Sequence, residues 1–281
     1  MIQKRLTVQQ YKILQGELRL KLLDLYHKAK AGHIGSSLSC LDLLIYLFCI
    51  EKKKEEILLL SKGHAAGALY VVLNHLGELS DAQLATYYHD GTIIPAHPAN
   101  SLYSGIAEIP FSTGSLGHGL SIGCGIAMAD KMVGRNSRVF CVMSDGECNE
   151  GAVWEAAMFG AHHRLGNLYA FIDKNDIQGF GRTQTVLENA VTREKWQSFG
   201  FDVFSCDGHD LDDIARTMAG IQKSNRKRPK CIICKTIKGC GVSYMEDRME
   251  WHYLPMSDEL YLRAQKDVLN KYLCENFFVK H

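Results

Sequence analysis

Five short apolar runs, over residues 57–60, 139–143, 168–172, 201–205 and 231–234, recur along the sequence with helix-like stretches between them. Most of these runs are apolar at consecutive rather than alternate positions, which is the pattern of strands buried on both faces. The intervening segments, over 65–76, 116–132, 153–163, 194–199 and 211–222, are rich in small and aliphatic residues. Strands alternating with helices predict a doubly wound α/β fold, a mainly parallel sheet with helices on both faces. Ahead of the first run, Leu14, Leu18, Leu22 and Leu25 form a helical stripe, and a second helix over 38–49 follows the glycine turn at 32–35. A last helix is expected over 258–274. The chain reads as one domain over 1–281, with a helical region at 1–50 and a helical extension at 257–281.

With 46% hydrophobic and 22% charged residues the chain carries the material of a folded core. Lys and Arg number 32 against 31 Asp and Glu, a net charge of +1. The most basic stretch, 222–230, holds five cationic residues and reads as a solvated turn before a strand, so nucleic acid is not an expected partner. The longest apolar run near the start, 38–50, is 13 residues with Asp42 inside it. A bilayer crossing needs about 20. The first eleven residues lack the apolar core of a signal peptide. No membrane association is expected, and the localisation is read as cytoplasmic. The ten cysteines are accordingly read as reduced. Cys231 and Cys234 have CxxC spacing but lie within an apolar run with no second pair, and read as strand residues.

In such sheets ligands bind beyond the carboxyl ends of the strands. The residues there are Ser61-Lys62-Gly63-His64, Ser144-Asp145-Gly146-Glu147, Asp173-Lys174-Asn175, Asp207-Gly208-His209 and Thr236-Ile237-Lys238-Gly239. Asp145 and Asn175 are 30 residues apart, enough for one helix and one strand, and such a crossover returns both to the same edge. A carboxylate and an amide oxygen are hard ligands for Mg²⁺ or Ca²⁺, and Mg²⁺ in particular keeps positions open for phosphate oxygens. Gly146 would let a phosphate approach the backbone. Taken alone, the pair reads more readily as an Asp-Gly turn and a strand terminator than as a ligand set. The 12 histidines and 25 glycines add weight through their clustering, at Gly32-His33-Ile34-Gly35, Gly63-His64, His97-Pro98 and 114–119. Each of these histidines also has a plain reading as a turn or surface residue.

The motifs resemble transketolase, specifically its thiamine diphosphate-binding half. Asp145-Gly146 followed by Asn175 is similar to the thiamine diphosphate motif. Ala31-Gly32-His33-Ile34-Gly35-Ser36, Leu60-Ser61-Lys62-Gly63-His64-Ala65, Ala96-His97-Pro98, 112–119, Asp207-Gly208-His209-Asp210, 235–239 and Trp251-His252 follow in the family's order. The resemblance implies that Asp145, Asn175 and the backbone carbonyl of Ile177 ligate the metal. It implies that Gly146, His64 and Lys238 lie on the diphosphate, and that Gly114 and Leu116 touch the cofactor's rings. His33, His97 and His252 would line the channel to the reactive carbon. Glu150 matches a buried glutamate that faces the second active site across a dimer.

Departures from the family pattern are Ser144 and Lys174 within the cofactor motif, Ile34, His118, Phe180 and Tyr253; the last two bear on the donor channel. The family's pyrimidine-binding half, with the glutamate that activates the cofactor, has no counterpart in 281 residues. The resemblance therefore implies one subunit of a split enzyme, in an α2β2 assembly with a C-terminal partner. That enzyme would transfer a two-carbon ketol unit between a ketose and an aldose, usually phosphorylated. A specialised enzyme for an unusual sugar, and a non-catalytic cofactor-binding subunit, are the alternatives.

Overall fold

A computed structural model of the chain describes residues 6–188, 191–222 and 227–273. Its strands are β1 Ile57–Leu60, β2 Val139–Ser144, β3 Leu168–Lys174, β4 Asp202–Asp207 and β5 Lys230–Lys235. The helices are α1 Val8–Ala29, α2 Ile34–Tyr46, α3 Ala66–His75, α4 Asp81–Leu84, α5 Ser101–Ser104, α6 His118–Met132, α7 Gly151–His162, α8 Thr183–Val186, α9 Arg193–Ser198, α10 Leu211–Ile221 and α11 Asp258–Val268. The five strands among the described residues are all parallel, in the order β1-β2-β3-β5-β4.

Alternate side chains of each inner strand feed two cores. Phe140, Val142, Phe171, Ile232 and Cys234 face α1, α2, α3, α10 and α11. Val139, Cys141, Met143, Leu168, Ala170, Ile172, Cys231 and Ile233 face α6, α7 and α9. Both faces are covered, so the doubly wound α/β class holds, and a one-residue slip of register would exchange the side chains of the two cores. The Cys231 and Cys234 thiols are buried on opposite faces of β5, as strand residues.

α1 begins with a capping box, Gln10 N donating to Thr7 Oγ1 at 3.2 Å and Thr7 N to Gln10 Oε1 at 2.9 Å. It buries the stripe of Leu14, Leu18, Leu22 and Leu25. α2 starts at Ile34, four residues before the expected 38, because His33 takes a left-handed φ of 73° and turns the chain directly into the helix. With its π-turn, Ile34–Glu51 is long and apolar enough to pass for a membrane span, but 83% of it is buried inside the protein. The helix expected from 116 begins at His118, and Leu116 stays in the preceding turn. α11 and a π-turn, Leu269–Leu273, occupy the closing helix; residue 274, the rest of the 257–281 extension and part of the 222–230 run lie outside the described residues.

Sheet order advances from β1 to β3, jumps to β4, and returns to β5. That reversal between β3 and β5 opens a crevice at the carboxyl rim. Hydrogen bonds past the strand ends hold the rim turns together: Ser61 N to Val142 O at 2.8 Å, Thr236 N to Lys174 O at 3.1 Å and Gly208 N to Lys235 O at 2.7 Å.

Candidate cofactor and metal site

β2 delivers Asp145 and β3 delivers Asn175 to this rim. Asp145 is 1% exposed; its Oδ1 accepts from Gly146 N at 2.8 Å, and its Oδ2 accepts from Asp176 N at 2.7 Å and Thr183 Oγ1 at 3.0 Å. The Asp176 amide thus ties the two strand ends together beside Asn175. Asp176 itself adopts a left-handed φ of 62°, turning the chain so that Ile177 N donates to Asn175 Oδ1 at 3.1 Å. Burial, and then the nearby Asp173 charge, push the Asp145 carboxyl above its ordinary range.

The Ile177 carbonyl accepts from Lys238 Nζ at 3.2 Å, so an ammonium group stands at the expected metal-ligating oxygen. A buried carboxylate beside the second carboxylate of Asp173, an amide oxygen and a carbonyl already turned toward a cation fit Mg²⁺ or Ca²⁺. Gly146 leaves little room for a side chain: an added Cβ would lie 3.0 Å from Gln178 Cγ.

Four imidazoles gather beside this set. Ring centroids of His33 and His252 are 4.9 Å apart, His64 and His252 5.4 Å, His33 and His64 5.5 Å, and His33 and His97 6.1 Å. The local backbone explains the meeting. His33 N donates to His252 O at 3.0 Å, and a Cβ on Gly32 would strike the Tyr253 carbonyl at 2.7 Å. A Cβ on Gly114, whose φ is 140°, would strike His97 at 2.8 Å. Lys238 Nζ also lies 3.1 Å from His252 Nδ1, joining the imidazole cluster to the Asp145, Asn175 and Ile177 group.

Burial, followed by His97 and the lysines, lowers His33 to about 4. Burial and Lys238 lower His252 to about 3, and burial and Lys62 take His64 well below its usual value. All three are neutral at pH 7 and can accept protons or hydroxyl hydrogens. A stability prediction follows. Unfolded histidines titrate near 6.5, so as pH falls below that value the unfolded chain binds protons that the folded chain refuses. Folding stability should therefore drop between pH 7 and pH 5, with a shallower slope in His33→Asn. Denaturant melts at both pH values check this; equal slopes would remove the account of neutral clustered rings.

Sequence reasoning gave no role to the pair beneath the cluster. Lys62 is fully buried and ion-paired with buried Asp173; it also donates to Ser36 O at 3.1 Å. Asp173 further accepts from Ser39 Oγ at 2.7 Å and from the Thr236 hydroxyl, while Asn175 Nδ2 donates to Ser39 Oγ at 3.0 Å. Both residues stood in the strand-end motifs, and a lysine there with no solvent must find a carboxylate. Glu147, adjacent to the motif, is buried and accepts from Ser61 Oγ, Gly117 N at 2.9 Å and Ser144 N at 3.3 Å. It braces the turn that carries Gly114 and Leu116. Glu150 is exposed on this chain, and its Cβ lies 2.7 Å from where a Cβ on Gly117 would sit. Leu116 is half-buried in that turn.

Fold and site define a doubly wound α/β domain with a carboxylate- and imidazole-lined crevice at a sheet switch point. Residues 12–272 match the family model described as transketolase, thiamine diphosphate binding domain. The chain belongs to the transketolase family, as its thiamine diphosphate-binding domain. It is 39% identical over 259 residues to a protein from Phocaeicola vulgatus named as a subunit of apulose-4-phosphate transketolase, covering 89% of this chain and 90% of that one. A 6-deoxy-6-sulfo-D-fructose transketolase subunit from a Clostridium species is 34% identical, with 88% and 92% covered. The crystal structure of transketolase from Campylobacter jejuni superposes with a TM-score of 0.83 at 26% identity, over 94% of this chain and 43% of that one. The chain thus spans less than half of that solved transketolase, and most of the proteins named as subunits.

Proposed function

We propose that this chain is the cofactor- and metal-binding subunit of a two-subunit transketolase, which moves a two-carbon ketol unit from a ketose or ketose phosphate to an aldose. The observation that carries the reading is the imidazole cluster joined through Lys238 to the Asp145–Asn175–Ile177 set. Cofactor retention alone has no use for His33, His97 and His252 at the mouth of the site. A partner bringing the pyrimidine-binding half fits the subunit names of relatives matched over nearly their whole length. An α2β2 assembly would place Glu150, exposed here, at a subunit boundary.

In this reading Asp145, Asn175 and the Ile177 carbonyl hold Mg²⁺ or Ca²⁺, and Lys238 and His64 hold the diphosphate, with Gly146 lying against it. Gly114 and Leu116 contact the cofactor rings. Bound thiamine diphosphate supplies the nucleophilic carbon and electron sink for carbon–carbon cleavage and formation. The chain's own residues orient and shuttle protons: neutral His33 and His252, with His97, which burial also lowers, accept hydrogen bonds from donor hydroxyls and take or return a proton at imidazole nitrogen. Lys62 and Asp173 keep the floor of the site rigid.

An unusual ketose is favoured as donor by the relatives' names, which specify apulose-4-phosphate and a sulfonated fructose. It is also favoured by the channel rim. Tyr253 OH donates to Gly179 O at 2.7 Å, and Phe180 beside it is 85% exposed. The test is calorimetric titration of thiamine diphosphate with Mg²⁺ into the chain, then a panel of phosphorylated and sulfonated ketoses assayed with the partner present. Cofactor binding with turnover only in the pair supports the reading. Binding with no turnover of any donor makes the chain a non-catalytic subunit, and robust transfer by the chain alone removes the partner. Tyr253→Phe should change KM among the donors while leaving cofactor affinity unchanged.

A further inference from the structure

One motif is left unused by the site just described, Asp207-Gly208-His209-Asp210 at the end of β4. Each residue has a geometric task. Asp207 Oδ1 accepts from His209 N at 2.8 Å, closing the turn. Gly208 allows close packing, since a Cβ there would lie 2.5 Å from Thr236 Cγ2. Asp210 caps α10, accepting from Asp212 N at 2.8 Å and Asp213 N at 3.1 Å. His209 is thereby placed between two elements that both carry site residues.

On one side, His209 Nδ1 lies 2.6 Å from Asp42 Oδ2, on α2, the helix that also carries Ser36 and Ser39. On the other, Ile237 N donates to His209 Nε2 at 2.9 Å, immediately before Lys238. Because Nε2 accepts an N–H, the ring proton is on Nδ1 and the ring donates to Asp42. Burial opposes a second proton while Asp42 favours one, to about 10 on that balance. Such a proton would face the Ile237 amide, so the hydrogen-bond geometry decides for the neutral ring. Asp42 is itself fixed, gripped by Arg19 Nη1 at 2.7 Å and Nη2 at 2.6 Å. Ligating atoms of Asp42, His209 and Cys240 lie within 4.8 Å of one another, but Arg19 and the Ile237 amide already occupy the lone pairs a metal would use.

We propose that His209 is a positioning residue for the cofactor site: a rigid link from the buried Arg19–Asp42 pair to the Ile237 amide that sets the place of Lys238. The inference rests on the function proposed above, because it acts through Lys238 on the diphosphate and cation. It predicts that His209→Ala weakens binding of thiamine diphosphate with Mg²⁺ to the full chain by about 10- to 100-fold, a loss of the size that removal of an orienting hydrogen-bond partner behind a site produces. His209→Gln, which keeps a donor and an acceptor, should fall between Ala and wild type, and it serves as the variant if His209→Ala does not fold.

A groove of about 660 Å³ opens beside His209, lined also by Lys235, Thr236 and Ile237, so free imidazole can reach the vacated position. Added imidazole should restore binding in His209→Ala, which a general loss of stability would not permit. Amide exchange at Ile237 reads the link without any cofactor, and protection should fall in both variants. Wild-type affinity and a protected Ile237 amide in the variants would overturn the proposal. Failure of the wild-type chain to take up the cofactor would instead overturn the functional reading, with the exchange measurement still deciding the link.

Discussion

Asp145→Ala should abolish the stabilisation that thiamine diphosphate with Mg²⁺ confers, while leaving the cofactor-free chain folded. A ligand at 100 times its dissociation constant stabilises the native state by about 2.7 kcal/mol. The wild-type chain should show a gain of that order at such a concentration, and Asp145→Ala none. The asymmetry has a physical cause. Without a cation, Asp145 is a buried carboxylate held by two amides and a hydroxyl, and its raised pKa means that its charge costs folding free energy at pH 7. Removing it relinquishes those hydrogen bonds but also that charge, so the two effects oppose each other in the cofactor-free state. With the cation bound, only the loss remains. Thermal melts with and without ligand check both halves, and an undiminished shift in Asp145→Ala would remove the metal assignment.

The sheet was legible because a strand buried on both faces must be apolar throughout, and runs such as 139–143 and 168–172 have no other use. The strand-end residues were legible for a related reason: polar, glycine-bearing segments directly after buried strands have nowhere to sit but the rim. What sequence could not supply was which rim residues face one another. Lys62 and Asp173 are 111 residues apart and meet only because β1 and β3 flank β2. The early start of α2 hid behind Gly32 and Gly35, which look like a turn, whereas the turn is made by His33 in a left-handed conformation that glycine would normally occupy. Glu147 and Glu150 are equivalent by composition. Burial separates them: Glu147 points inward to the amide of Gly117, and Glu150 outward to solvent on this chain.

Arg19→Met should be strongly destabilising, by about 3–5 kcal/mol, because it leaves a buried charge without its partner. Both members of the Arg19–Asp42 pair are fully buried. Arg19 also donates to Gln15 O and Cys240 O, both at 3.2 Å, and lies 4.6 Å from the Tyr272 ring centroid, so one guanidinium joins α1, α2, the 240–241 turn and the final π-turn. Burial opposes ionisation of Asp42, but Arg19 and His209 outweigh it and hold the carboxyl far below its ordinary range. The sign of the pH dependence follows. In wild type this stabilisation is present above the unfolded value of about 3.9 and is lost as pH falls through the lower folded value. In Arg19→Met the stranded carboxylate gains from proton uptake, on Asp42 itself or on His209, so the deficit relative to wild type should shrink from pH 8 to pH 5.5. The double variant Arg19→Met, Asp42→Leu removes both charges and should recover much of the lost stability, as paired replacements by apolar groups do. Cofactor affinity should not recover with it, because His209 then has no carboxylate to hold its Nδ1–H and the Ile237 amide loses its fixed acceptor. Recovery of stability and affinity together would separate the ion pair from the site.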